Sequence, residues 1–139
     1  MKDEVRIFDT VVCTASSFHD TDNEIYTDFP VMEEPVFYAD DGLAALAKEA
    51  AGKTERKIHF GFATTGDRYM EPIYPNAICI DMETAAVTHA CYLNEIPFIA
   101  VRSISDNNNE AGQEAINRNY EKAVQQSYQF VSEMLEEIR

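Results

Sequence analysis

The chain has 139 residues, 45% hydrophobic and 26% charged, which suits one globular domain spanning 1–139 with a core of its own. Eleven Lys and Arg stand against 25 Asp and Glu, and the formal charge of −14 argues against nucleic acid as a partner. No apolar run approaches the ~20 residues of a membrane helix, and the opening Met1-Lys2-Asp3-Glu4-Val5 lacks a signal-peptide stretch, so a cytoplasmic protein with no membrane partner is expected.

In chain order, Val5 to Cys13 is rich in β-branched residues and reads as a strand. Residues 18 to 39 mix acids, aromatics, Pro30 and Pro35, and read as a long loop with room for a short strand. Asp40 or Asp41 can cap a helix through Gly42–Ala50, closed by Gly52. Lys57 to Ala63 alternates as a strand does, and Thr64-Thr65-Gly66-Asp67 is a turn signal. Ala77 to Ile80 is a short apolar strand. A helix rich in small residues follows from about Glu83 to Leu93. Pro97 opens the next strand, with Phe98-Ile99-Ala100-Val101 as its buried run. In the last helix Tyr120, Val124, Tyr128, Val131, Leu135 and Ile138 fall at steps of three and four and form one apolar stripe. Glu121, Glu133, Glu136 and Glu137 read as a solvated face. Strands alternating with helices indicate an α/β fold with a mainly parallel mixed sheet flanked by helices. Few strands are visible, so the sheet reads as part of a larger one.

Three carboxylates stand at strand ends. Asp81 and Glu83 lie two apart and share a side if the strand continues through them. Asp106 follows Val101-Arg102-Ser103-Ile104-Ser105. In an open parallel sheet, ligands bind beyond the carboxyl ends of the strands, so both acidic clusters are expected to open into one crevice. Arg102 interrupts an apolar strand and needs a carboxylate partner, Asp106 or Asp81. His19, Asp20 and Asp22 match no metal-ligand spacing, and loop hydrogen bonding or an interface role is favoured for them. Cys13, Cys79 and Cys91 form no CxxC pair and read as buried, reduced thiols. No metal and no cofactor are expected.

Thr65-Gly66-Asp67-Arg68-Tyr69-Met70, Ile80-Asp81-Met82-Glu83-Thr84-Ala85 and Val101-Arg102-Ser103-Ile104-Ser105-Asp106 occur in the order and spacing of the purine nucleoside phosphorylase/nucleosidase superfamily. The likeness is greatest to its bacterial 5'-methylthioadenosine/S-adenosylhomocysteine nucleosidases. Phe18-His19-Asp20-Thr21-Asp22 also resembles their Tyr-His-Asp-x-Asp segment.

The resemblance implies a phosphorylase/hydrolase-like fold and hydrolysis of the N-glycosidic bond of a thio-substituted adenosine, releasing adenine. It implies that Asp106 protonates the leaving base, that Glu83 holds the ribose hydroxyls and that Met82 packs under the sugar. It makes Tyr69 the stacking platform for adenine, with the Met70 backbone at the base edge, and adds Asp81, Arg102 and Ser105 to the substrate-binding set. Tyr26 would reach the substrate of a neighbouring subunit in a homodimer. Two departures stand out. Asp81 replaces the family's usual Glu, and the family's N-terminal half has no counterpart, including the glutamate that positions water. The chain thus resembles the C-terminal part of the fold, expected to self-associate or to need a partner segment.

Phosphorolysis by the same superfamily is the nearest alternative, although it needs gathered arginines and only Arg68 and Arg102 fall near the site. A non-catalytic fragment that binds purine or only dimerises is the third.

Overall fold

The computed structural model describes residues 5–22, 32–68, 74–106 and 113–138. Among them are β1 (Thr10–Phe18), β2 (Phe37–Tyr38), α1 (Asp41–Ala51), β3 (Ile58–Thr65), β4 (Ala77–Asp81), α2 (Thr84–Leu93), β5 (Ala100–Ser103) and α3 (Gln113–Glu136). β1 is central. One edge pairs in parallel with β3, which pairs in parallel with β4. The other edge is shared by two antiparallel strands, β5 against Thr10–Cys13 and β2 against Ala15 and Ser16. The sheet is therefore mixed, with the parallel ladders carrying most of the pairing.

The first strand starts five residues later than its β-branched run suggests and extends through Thr14, Ser16 and Ser17. Phe8 has φ 74°, a left-handed conformation that takes it out of the ladder, and Arg6 and Asp9 close a turn around it. The polar continuation is a strand because it is paired on both edges and buried, with Ser16 hydrogen-bonded to Thr88 of α2. The run read as the last strand also moves. Residues 97–99 are irregular, and β5 begins at Ala100, where pairing with Cys13 starts.

Asp40 caps α1, its Oδ1 accepting from the Leu43 N–H at 2.9 Å. One sheet face packs Val12, Ile58, Phe60, Ile99 and Val101 against Ala47 and Ala50 of α1 and Phe130 and Met134 of α3. The opposite face carries Val11, Cys13, Ala63, Cys79 and Ala100. α2 lies against β1, β2 and β3, with His89 stacked on Phe37.

The apolar stripe of α3 is not its buried face. Its buried residues are Ala115, Asn119, Ala123, Phe130 and Met134, while the stripe from Tyr120 to Ile138 faces outward. Ala115 and Ala123 let this face of the helix approach closely, while Phe130 and Met134 fill the core against α1 and the sheet. Nor are all the acids of the last helix solvated: Glu133 pairs with Arg56 and Glu137 with Lys53, tying α3 to the end of α1.

Candidate active site

β4 ends in Asp81, a buried acid whose side chain is 4% exposed. Its Oδ1 accepts from Thr65 Oγ1 (2.7 Å), the Glu83 N–H (3.1 Å) and the Thr84 N–H (2.9 Å), and Oδ2 accepts from the Thr84 hydroxyl. The Asp81 carboxylate thus accepts from the N–H groups of Glu83 and Thr84 at the start of α2, a role normally filled by a capping residue. These contacts also fix the Met82-Glu83 turn against β3. Asp rather than Glu suits this, because the shorter side chain reaches its own turn.

β5 contributes Arg102. Its Nη2 donates to Glu83 Oε2 at 2.6 Å, and its Nε lies 3.5 Å from Asp81 Oδ2. Of the two partners expected, Asp81 is present and Asp106 is not; Glu83 takes that place. Burial works against the guanidinium charge, but the Asp81 carboxylate and the Glu83 hydrogen bond outweigh it and hold the pKa above its ordinary value. Beyond β5, Ser105 Oγ donates to Asp106 Oδ1 at 2.9 Å.

Glu83, Arg102, Ser105 and Asp106 line one cleft of about 360 Å³, together with Met82, Gly66, Arg68, Ile116 and Tyr120. The expected convergence is present, but parallel strand ends do not produce it. β5 runs antiparallel to β1, so its carboxyl end and that of β4 point to opposite ends of the sheet. Register shifts interrupt the ladders at Cys13/Ala15 and Phe62/Ala63, and Arg102 reaches from β5 to Asp81 at the end of β4.

Another hollow, of about 600 Å³, is lined by Tyr38, Tyr92, Leu93, Ile96 and Phe98. Its acids are Asp40, already the α1 cap, and the exposed Glu95, and among the described residues no Lys, Arg or His lines it. The smaller cleft is the candidate active site, since it gathers the acids Asp81, Glu83 and Asp106 with Arg68 and Arg102.

Two supports of the cleft lie outside the motifs. Asn119 on α3 is buried, and its Nδ2 donates to the Ser105 carbonyl oxygen at 2.7 Å. The one sequence signal for it is a polar residue in register between Ala115 and Ala123. His19 and Asp20 hold the Gly66-Asp67-Arg68 turn. Asp20 Oδ2 accepts from the Asp67 and Arg68 N–H groups (2.6 and 3.1 Å), and His19 Nε2 donates to the Arg68 carbonyl at 2.9 Å. This is the loop hydrogen bonding favoured for that segment. Tyr26, Tyr69 and Met70 lie outside the described residues.

Cys13 and Cys79 are buried free thiols. A hydrogen-bonding contact with Cys13, reinforced by burial, raises the Cys79 pKa well above its ordinary value, which keeps it an unreactive thiol.

An α/β sheet of this order with an acid-lined cleft across its strand ends defines a phosphorylase/hydrolase-like protein. The chain belongs to the phosphorylase superfamily, whose family model matches residues 1–136. It is 30% identical over 150 aligned positions to a 5'-methylthioadenosine/S-adenosylhomocysteine nucleosidase of Bacillus cereus strain G9842, the match covering 97% of this chain and 64% of that protein. Its fold superposes on a nucleosidase of that description from Colwellia psychrerythraea 34H in complex with adenine, with TM-score 0.79, 28% identity and coverage of 97% and 62%. It also matches futalosine hydrolase of Helicobacter pylori strain 26695, with TM-score 0.82, 26% identity and coverage of 96% and 62%. The chain spans just under two thirds of the length of its curated relative. The unmatched share of that relative is about a third, rather than the half expected from the motifs.

Proposed function

We propose that this chain carries the acid-bearing part of an adenine nucleoside N-glycosidase acting on 5'-methylthioadenosine or S-adenosylhomocysteine. The observation that carries this reading is one cleft holding Glu83, Arg102, Ser105 and Asp106 in a chain 30% identical to a nucleosidase of those substrates.

The chemistry follows from the groups present. The bond between the sugar carbon and the purine nitrogen breaks, its electron pair leaves with adenine, and Asp106 gives that base a proton. Ser105 already donates to Oδ1, so Oδ2 is the oxygen that carries the acidic hydrogen. A positioned acid of this kind is worth ~10²–10⁴-fold. Glu83, aligned by Arg102, accepts the ribose hydroxyls and stabilises positive charge growing on the sugar. Met82, 60% exposed, packs under the ribose, and Tyr69 and Met70 take the base. The incoming water bonds to the sugar carbon and must lose a proton. Asp81 and Glu83 are both engaged by Arg102, so we assign that base to the share of the family domain outside this chain. We infer hydrolysis rather than phosphorolysis because Arg102 is committed to Asp81 and Glu83, leaving Arg68 as the other arginine of the described cleft. A homodimer with Tyr26 at the neighbouring site belongs to the same reading, as does a reducing cytoplasm suited to three free cysteines.

Adenine release from 5'-methylthioadenosine tests it, using the chain produced together with the unmatched third of the Bacillus cereus relative. Turnover independent of phosphate, reduced ~10²–10⁴-fold by Asp106→Asn, is expected. Adenine bound tightly without turnover identifies a binding fragment, and a rate proportional to phosphate identifies a phosphorylase.

A further inference from the structure

β3 and β4 end on a matched pair, Thr65 opposite Asp81, and both are buried. The Thr65 hydroxyl accepts from the Ala85 N–H in the first turn of α2 at 2.8 Å, which leaves its proton for Asp81 Oδ1 at 2.7 Å. Backbone bonds hold the same point from two further sides. The Thr65 carbonyl accepts from the His19 N–H at 3.0 Å, and the Gly66 N–H donates to the Asp81 carbonyl at 3.1 Å. One threonine therefore joins the end of β1, the end of β4 and the start of α2.

Asp81 has no acceptor position left for a ligand. Oδ1 takes the Thr65 hydroxyl and the Glu83 and Thr84 N–H groups, while Oδ2 takes the Thr84 hydroxyl and faces Arg102 Nε at 3.5 Å. A carboxylate offers about four lone-pair positions, and these donors fill them. Asp81 thus acts on Arg102 and not on a sugar hydroxyl. Glu83 is in the opposite situation. Its side chain is 59% exposed, and among the described residues Arg102 is the one side-chain partner of its carboxylate. A guanidinium is a rigid planar fork, so the direction of Nη2 toward Glu83 is set once Nε is held by Asp81.

We propose that Thr65 is a positioning residue of the site. Its hydroxyl, aimed by the Ala85 N–H, fixes Asp81, which fixes Arg102, which fixes Glu83. Asp81 is a positioning residue on the same line and not a substrate contact. The line ends on Glu83, so Thr65 governs recognition of the sugar and leaves the base untouched. That last step rests on the reading of Glu83 as the ribose contact; the links from Thr65 to Arg102 do not.

NMR of the isotope-labelled full chain tests the links, through hydrogen exchange at Arg102 Nε–H. Thr65→Val keeps the side chain's shape without the hydroxyl, and should speed that exchange about tenfold, the worth of one hydrogen bond. Thr65→Ser keeps the hydroxyl and should match the parent. Asp81→Asn retains an acceptor for Thr65 but turns an amide N–H toward Arg102, so it should release Arg102 as Thr65→Val does, and it reads the line even if Thr65→Val does not fold. Amide exchange at Ala63 in β3 should stay as in the parent. Calorimetric titration then separates positioning from general support: Thr65→Val should weaken adenosine, which carries the ribose hydroxyls, about tenfold and leave adenine, which lacks them, unchanged. Arg102 exchange unchanged in Thr65→Val or in Asp81→Asn overturns the proposal, and so does an equal loss of adenosine and adenine affinity. Arg102 released with adenosine affinity unchanged upholds the line from Thr65 and counts against Glu83 as the ribose contact.

Discussion

Asn119 and Ser105 meet where α3 passes the end of β5, the buried amide donating to the carbonyl at 2.7 Å. Ser105 in turn donates to Asp106, so a helix side chain outside every motif stands one residue from the proposed acid. Removing the donor leaves a carbonyl without its partner, at a cost of ~1–3 kcal/mol. Asn119→Leu should lower stability by that amount in urea unfolding and weaken adenine binding in titration calorimetry. An unchanged adenine affinity would confine Asn119 to stability.

Arg102 joins two acids of different worth. The Glu83 arm is solvent-exposed, and such pairs contribute ~0–1 kcal/mol; the Asp81 arm meets a buried carboxylate. Arg102→Met should cost ~1–3 kcal/mol, less than the ~3–5 of a fully buried pair, because Arg102 keeps contact with water. Arg102→Lys should restore part of the stability but not the two-armed alignment of Glu83. Urea unfolding reads the first effect and adenine release by the assembled protein the second.

Gly66 is a close-approach glycine. A Cβ there would sit 2.5 Å from His19 Nε2 and 2.6 Å from Asp20 Cγ. Gly66→Ala should push Asp20 off the Asp67 and Arg68 N–H groups and loosen the turn leading to Tyr69. A lower melting temperature and faster amide exchange at 67 and 68 are expected, and exchange as slow as in the parent would contradict the clamp.

Cys79 gives a pH dependence of known sign. Its folded pKa is raised, so the folded chain holds the thiol proton after the unfolded chain has lost it. That contribution is complete below the ordinary value of 9.0 and declines as pH rises above it. The decline has a limiting slope of ~1.4 kcal/mol per pH unit. Melting curves from pH 8 upward, parent against Cys79→Ala, isolate it. Equal slopes for the two proteins would contradict the shift.

Much of the fold was legible locally. Asp40 before Gly42–Ala50 announced a capped helix, Ala77–Ile80 an apolar strand, and the small residues of 84–93 a helix packed close to a sheet. The site's acids were legible through spacing, since Asp81-Met82-Glu83 and Ser105-Asp106 each follow an apolar run. What could not be read was partnership. Nothing local says that Glu83 rather than Asp106 meets Arg102, or that Asp81 spends its oxygens on Thr65 and Thr84. Asn119 looks like any polar residue of a helix until its neighbours Ala115 and Ala123 are known to be buried.

The sequence by itself determined the α/β class and the family, because hydrophobic period, capping residues and motif spacing are properties of a few neighbouring positions. Only the tertiary structure decided the antiparallel course of β5, the reach of Arg102 across to Asp81 and Glu83, and the outward turn of the α3 stripe. Those depend on which face of a helix meets the sheet and on which distant strand supplies hydrogen bonds, competitions settled among residues far apart in the chain, as Thr10 and Ser103 are at 93 positions.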